Sequence, residues 1–179
     1  MALTSTIYRF HVDVSDVDRS VYETVEVRVA MHPSESLPYM LTRLLAYLLN
    51  IQEGLSFSKG GLSDAEEPPL SVEDLTGQRT FWIEVGTPSP ERLHKAAKAA
   101  PAVRVYLHKP FEPWKQQLDG KQIHRRADIE VFCISPALIT DLGGQLERTN
   151  TWTFACSDGD LYVTTPNGTF SGALTQHAI

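Results

Sequence analysis

Residues 81–86 read FWIEVG, and Glu84 is the one carboxylate in an otherwise apolar, strand-like run. A charge in such a place needs a buried cation, a metal ion or a reacting group beside it. Hairpin geometry supplies a companion. If residues 74–86 turn through the three-residue loop Gln78–Thr80, Asp74 lies directly across from Glu84. Directly opposed side chains share a face, with Cβ atoms about 5 Å apart. Two carboxylates that close repel unless a positive charge lies between them. Mg²⁺ does this with one or two carboxylates and several waters. An ion so held polarises a phosphoryl oxygen and activates bound water. Alternation also puts Trp82, Glu84 and position 86 on one face. A lysine at 86 would orient the attacking water, and the chain has Gly86. A plain structural account stands beside this one: Asp74 caps its own turn, and Glu84 pairs with Arg43 or Lys95.

Other side chains bear on the choice. Arg43 sits among the leucines of a helical run and could pair with Glu84 or Glu35, for which its planar fork is well suited. Lys95 is either a surface partner of Glu91 at i,i+4 spacing or a lysine displaced toward the acids. Lys59, in FSKG, is a second cation of that kind or a solvated turn residue. The six histidines show no H-x-x-x-H or H-x-x-E-H spacing, so zinc hydrolysis is not indicated. His32 is read as packing where the first helix starts. KQIHRRAD, residues 121–128, is basic and either touches phosphates or is solvated. Trp82 and Trp114 are read as core or as cleft walls. There is no G-x-S-x-G elbow, P-loop or dinucleotide fingerprint.

The elements that must position these residues follow from periodicity. IYRFHVDV and residues 21–30 both alternate, so the chain opens with a hairpin across SDVDRS. Leu37, Met40, Leu41, Leu44, Leu45 and Leu48 have helical spacing, with Ser34 as the expected cap and Pro38 early enough to be tolerated. LSFSKGG reads as a short strand, SDAEEPPLSVED as a loop entering a strand, and DLTGQRTFWIEVG as a hairpin. TPSPERLHKAAKAAPA is a second helix, capped by Ser89 with Pro90 in its first turn. AVRVYLHK is a strand and KPFEPWKQQLDGKQ an irregular segment. ADIEVFCIS is a strand, SPALITDLGGQLE a short helix capped by Ser135, and TWTFAC and LYVTT a hairpin with one more strand after PNG.

The 179 residues fit one domain with a proper core, and a net charge of −6 gives no global field drawing in nucleic acid, though a local basic cleft remains open. Cys133 and Cys156 are far apart in strand-like runs and read as two buried thiols. No signal core and no apolar run of about 20 residues is present, so a cytoplasmic protein without membrane association is expected.

The order helix–strand–strand–strand–helix–strand, with an acid on the second strand and Glu-x-x on the third, resembles the PD-(D/E)XK nuclease superfamily. A closer resemblance covers nearly the whole chain. MALTSTIYRF, HPSE followed by Arg43 and LLAY, FSKG, DAEEP, WIEVG-x-P with Lys95 beyond it, and RTNTW…DG…LYV together resemble the YaeQ family, which has been likened to restriction-endonuclease-like folds. The resemblance implies an α+β fold: a restriction-endonuclease-like mixed sheet flanked by helices over 32–109, with accessory strands from 1–31 and 127–179. It implies Mg²⁺ held by Asp74 and Glu84, with Glu67 in DAEEP the rival for the first acid if the strand register differs, Glu35 as an accessory acid, Lys95 or else Lys59 in the lysine role, and a nucleic-acid substrate. The alternative is a non-catalytic binding protein, in one version linked to transcription, that keeps the fold and the cleft.

Overall fold

The computed structural model describes residues 4–59 and 66–179. These form ten strands and four helices. The opening alternation becomes the hairpin β1 (Thr6–Asp16) and β2 (Val21–Met31), with Phe10, Val12 and Val14 facing inward. The leucine-rich period becomes α1 (Leu37–Leu48), with Pro38 in its first turn. Its cap is Ser36, not Ser34: the Ser36 hydroxyl accepts from the Tyr39 amide at 3.2 Å. Ser34 instead contacts His32, at 2.7 Å from its hydroxyl to Nδ1.

Then come β3 (Leu55–Phe57), β4 (Leu70–Glu73), β5 (Arg79–Val85), α2 (Pro90–Ala99) and β6 (Ala102–Leu107). The glycines that close LSFSKGG and the SDA of SDAEEP lie outside the described residues. KPFEPWKQQLDGKQ, expected to be irregular, contains α3 (Phe111–Leu118). The rest is β7 (Glu130–Ile134), α4 (Pro136–Gly143), β8 (Thr149–Ser157), β9 (Asp160–Thr165) and β10 (Gly168–His177). Ser89 and Ser135 cap α2 and α4 as the sequence suggests.

All ten strands join one sheet, in the order β2-β1-β8-β9-β10-β7-β6-β5-β4-β3. Most pairs are antiparallel, while β1–β8, β5–β6 and β6–β7 are parallel. β10 pairs with β9 through residues 168–173 and with β7 through 174–177. One face packs α1 and α4 against Ile83, Val85 and the inward residues of β1, β8 and β9. The other packs Leu93 and Ala97 of α2, and Trp114 and Leu118 of α3, against Trp82, Val103, Val105 and Val131. The two faces explain why Ile83 and Trp82 are both fully buried though they point opposite ways. No helix of the described residues is long and apolar enough to cross a membrane.

The β4–β5 register differs from the one expected. Leu70 pairs with Ile83 and Val72 with Phe81, with a bulge at Val72–Glu73. Glu84 therefore lies level with Pro69, not with Asp74. The cause is local. Asp74 Oδ1 accepts from the Thr76 amide at 2.8 Å, the Thr76 hydroxyl at 2.6 Å and the Gln78 amide at 3.0 Å. The side chain thus builds a longer turn than the three-residue loop assumed.

Candidate functional site

Parallel pairing of β5 and β6 brings the residues after both strands to one end of the sheet, joined by the Gly86 amide donating to the Tyr106 carbonyl at 2.9 Å. A half-open cleft of about 370 Å³ lies there. Gly86 and Thr87 follow β5, and His108 and Lys109 follow β6; Tyr39 and Arg43 of α1, Arg92 of α2, and Glu67 with Pro69 before β4 complete the walls. This is the usual place for ligands in α/β sheets, outside the carboxyl ends of parallel strands.

Glu84 is 2% exposed. Its Oε1 accepts from Arg92 Nε at 2.6 Å and from the Trp82 indole at 2.7 Å. The Trp82 contact follows from alternation, since residues two apart on a strand share a face. Burial pushes the Glu84 carboxyl above the usual glutamate range, and the Arg92 guanidinium pulls the other way. Arg92 Nη2 also donates to the Glu67 carbonyl at 2.8 Å, so one guanidinium ties Glu84 to the backbone of Glu67. Glu67 Oε2 accepts from the Ser58 hydroxyl at 3.2 Å and the Lys59 amide at 3.1 Å. The two acids that share this cleft are therefore Glu84 and Glu67.

A second buried pair stands behind the cleft. Arg43 Nη2 donates to Glu35 Oε2 at 3.0 Å and to the Ala30 carbonyl at 2.7 Å. Glu35 Oε1 and Arg43 Nε have no hydrogen-bond partner among the described residues. Burial raises the Glu35 carboxyl more than Arg43 lowers it. Of the two partners open to Arg43, the structure gives it Glu35.

The remaining candidates are dispersed. Asp74 is exposed in its turn and does not line the cleft; its turn hydrogen bonds, the Thr76 hydroxyl first, lower its pKa. Lys95 pairs with Glu66 rather than with Glu91 or an acid of the cleft. Lys59 lines an adjoining pocket with Arg28 and His32 that shares Arg43 and Ser58 with the cleft. The basic stretch 121–128 spends its arginines on helix ends. Arg125 donates to the carbonyls of Ala97 in the last turn of α2 and of Ala100 and Pro101 just beyond it, and Arg126 to Leu118 at the end of α3. Trp114 is core, its indole donating to the Pro88 carbonyl at 2.8 Å. Both cysteines are free, and burial pushes both thiols up, Cys156 to about 12, so neither is primed as a nucleophile.

Gly86 has φ +88°, in the left-handed region, while a Cβ there would meet only the Tyr39 ring at 3.6 Å. Backbone conformation, not lack of space, keeps a lysine from this position. Sequence reasoning missed Tyr39, Arg92, His108 and Lys109. Arg92 could have been found as the third residue after the Ser89 cap, in the helix turn that comes after the Glu84 strand. His108 and Lys109 needed the β5–β6 pairing. Burial and the neighbouring Lys109 charge lower the His108 pKa, and its Nδ1 has no hydrogen-bond partner among the described residues. Burial and the Glu84 charge raise the Tyr39 phenol well above its ordinary value.

Fold and site define the class: an α+β protein with one large mixed sheet and a charged cleft where two parallel strands end. The chain belongs to the YaeQ protein family, whose model matches residues 1–173. It is 30% identical over 177 residues to "Uncharacterized protein YaeQ" of Escherichia coli (strain K12), covering 98% of this chain and 97% of that protein. Two solved structures are similar throughout. The YaeQ protein from Pseudomonas syringae has a TM-score of 0.88 and 29% identity, over 98% of this chain and 97% of that one. The YaeQ protein from Xanthomonas axonopodis pv. citri has a TM-score of 0.88 and 28% identity, over 98% of this chain and 99% of that one.

Proposed function

We propose that the cleft is a divergent Mg²⁺-dependent phosphodiesterase site acting on nucleic acid, on a core related to the PD-(D/E)XK nucleases. The supporting observation is that Glu84 and Glu67 share one cleft with the basic side chains of Arg43 and Lys109. Glu67 takes the place that hairpin counting assigns to Asp74. Each acid commits one oxygen to protein donors, Glu84 Oε1 and Glu67 Oε2. That leaves Glu84 Oε2 and Glu67 Oε1, two hard oxygen donors of the kind Mg²⁺ takes. Mg²⁺ at such a site supplies Lewis-acid polarisation of a phosphoryl oxygen and a more acidic water.

The chain's own residues do the rest. Lys109 replaces the lysine that Gly86 cannot carry and holds a phosphate oxygen. Burial and the Lys109 charge lower the His108 pKa, which favours the neutral imidazole, and this residue of the cleft wall is the one to take a proton from the attacking water. Arg28 and Lys59 in the adjoining pocket continue the basic surface along which a phosphate backbone would lie.

A non-catalytic nucleic-acid-binding role rests on a different observation: Arg92 and Trp82 already satisfy Glu84 without an ion. One experiment divides the two readings. Labelled single-stranded and duplex oligonucleotides are incubated with native protein, Glu84→Gln, Glu67→Gln and His108→Ala, with and without Mg²⁺, while calorimetry follows Mg²⁺ binding. The phosphodiesterase reading requires Mg²⁺ heat and cleavage in the native chain, with cleavage lost in all three variants. Oligonucleotide binding with neither heat nor cleavage supports the non-catalytic role. Cleavage that survives Glu84→Gln overturns the site.

A further inference from the structure

We propose that Asp16, Asp18 and Cys156 form a second metal site, distinct from the cleft, for a divalent transition ion of the zinc class. Asp16 ends β1, Asp18 lies in the β1–β2 turn, and Cys156 is the parallel partner of Asp16 on β8. One ligand atom from each lies within 4.8 Å of the other two.

A second observation points to a cation. Asp16 is 1% exposed, yet its Oδ2 has no hydrogen-bond partner among the described residues. Oδ1 accepts from the Arg19 amide at 3.1 Å. Arg19 Nη1 stands 3.9 Å from Oδ2, beyond hydrogen-bond range, because the guanidinium is turned to the carbonyls of Leu49 at 2.8 Å and Ile51 at 3.0 Å. A buried carboxylate oxygen without a donor is costly, and a bound ion removes that cost.

The neighbours fit the ion. Asp18 is aimed at the sulfur by the Asp158 amide at 2.8 Å and the Gly159 amide at 3.2 Å, and its Oδ2 accepts from the Cys156 thiol at 3.4 Å. A tetrahedral zinc ion holds such ligands about 3.5 Å apart, so only a small closure is needed, and exposed Asp18 can supply it. One sulfur with two carboxylates selects zinc or cobalt over Mg²⁺, which takes oxygen ligands. Binding replaces the S–H bond with a metal–sulfur bond and releases the proton to solvent. Three anionic ligands on a divalent ion leave one negative charge, which Arg19 balances. A cavity of about 420 Å³ borders all three residues, giving access and room for a water as fourth ligand.

The test is cobalt titration of chelator-stripped protein, followed by optical absorption. The native chain and Cys133→Ser should each bind one equivalent with a thiolate-to-cobalt charge-transfer band. So should Glu84→Gln, which alters only the cleft. Cys156→Ser should lose the band, and Asp16→Asn should weaken binding by at least the roughly 10–100-fold that loss of an outer-shell partner costs. Asp18→Asn, at an exposed position, supplies the same readout if Asp16→Asn fails to fold. Absence of the band in the native chain at stoichiometric cobalt, its persistence in Cys156→Ser, or its loss in Cys133→Ser overturns the site.

Discussion

At the carboxyl end of β5, Glu84 receives Arg92 at 2.6 Å and Trp82 at 2.7 Å; at the carboxyl end of β1, Asp16 keeps one oxygen that no donor of the described residues reaches. Both acids are almost wholly buried, and both sit where two parallel strands stop side by side. The difference lies in the segment after each strand. After β5 the chain enters α2, whose first turn carries Arg92 back toward the strand. After β1 it makes a tight turn, and the guanidinium of Arg19 is drawn off by the carbonyls beyond α1. A buried acid hydrogen-bonded by an arginine contributes its stability through the pair, whereas one whose arginine is turned away keeps an oxygen for something else.

This contrast can be broken at several points. Glu84→Ala strands Arg92 and the Trp82 indole, and should cost about 3–5 kcal/mol in urea unfolding. A loss below about 1 kcal/mol would mean that the pair is dispensable. Gly86→Ala forces a Cβ into a left-handed backbone and should cost about 1–2 kcal/mol by the same measurement. Asp16→Asn keeps the acceptor for the Arg19 amide and removes the unanswered charge, so metal-free stability should change by less than about 1 kcal/mol. A loss as large as that of Glu84→Ala would erase the distinction between the two ends.

The pH dependence sharpens the same comparison. Burial raises the Glu84 pKa in the folded chain, so the native state holds that proton more tightly than the unfolded state does. Native stability relative to Glu84→Gln should then be greatest below the ordinary value of 4.5 and decline as pH rises above it through the shifted value. Paired melting curves across that range check the sign, and an opposite slope would show Arg92 outweighing burial. The smallest effect belongs to Asp74→Ala, which should slightly lower the melting temperature and leave Mg²⁺ binding at the cleft unchanged.

How much the sequence disclosed depends on the reach of its signals. Alternation in FWIEV places Trp82 and Glu84 on one face, and the Ser89–Pro90 start of α2 is a local code. The β4–β5 register was hidden because Asp74 folds its own turn and a bulge lies at Val72–Glu73, so matching acids by count met the wrong partner. α3 was hidden behind Pro110 and Pro113 and has no side-chain cap to announce it. The cleft as a set was least legible. Glu67, Arg92 and Lys109 come together only through a parallel pairing and an arginine that reaches back over 25 residues. The YaeQ resemblance, carried by motifs spread along the chain, matches the family found.

The pairing of β1 with β8 joins Arg9 to Thr149 across most of the chain. During synthesis from the amino end, the β1–β2 hairpin emerges early, yet the strand that covers β1 is made only after β3–β7 and all four helices. Through that interval β1 offers an open row of amides and carbonyls to any extended peptide nearby. The unpaired edge of β1 is therefore open to wrong partners until β8 is made, and a holdase that masks β1 until Thr149 appears should raise the yield of folded protein.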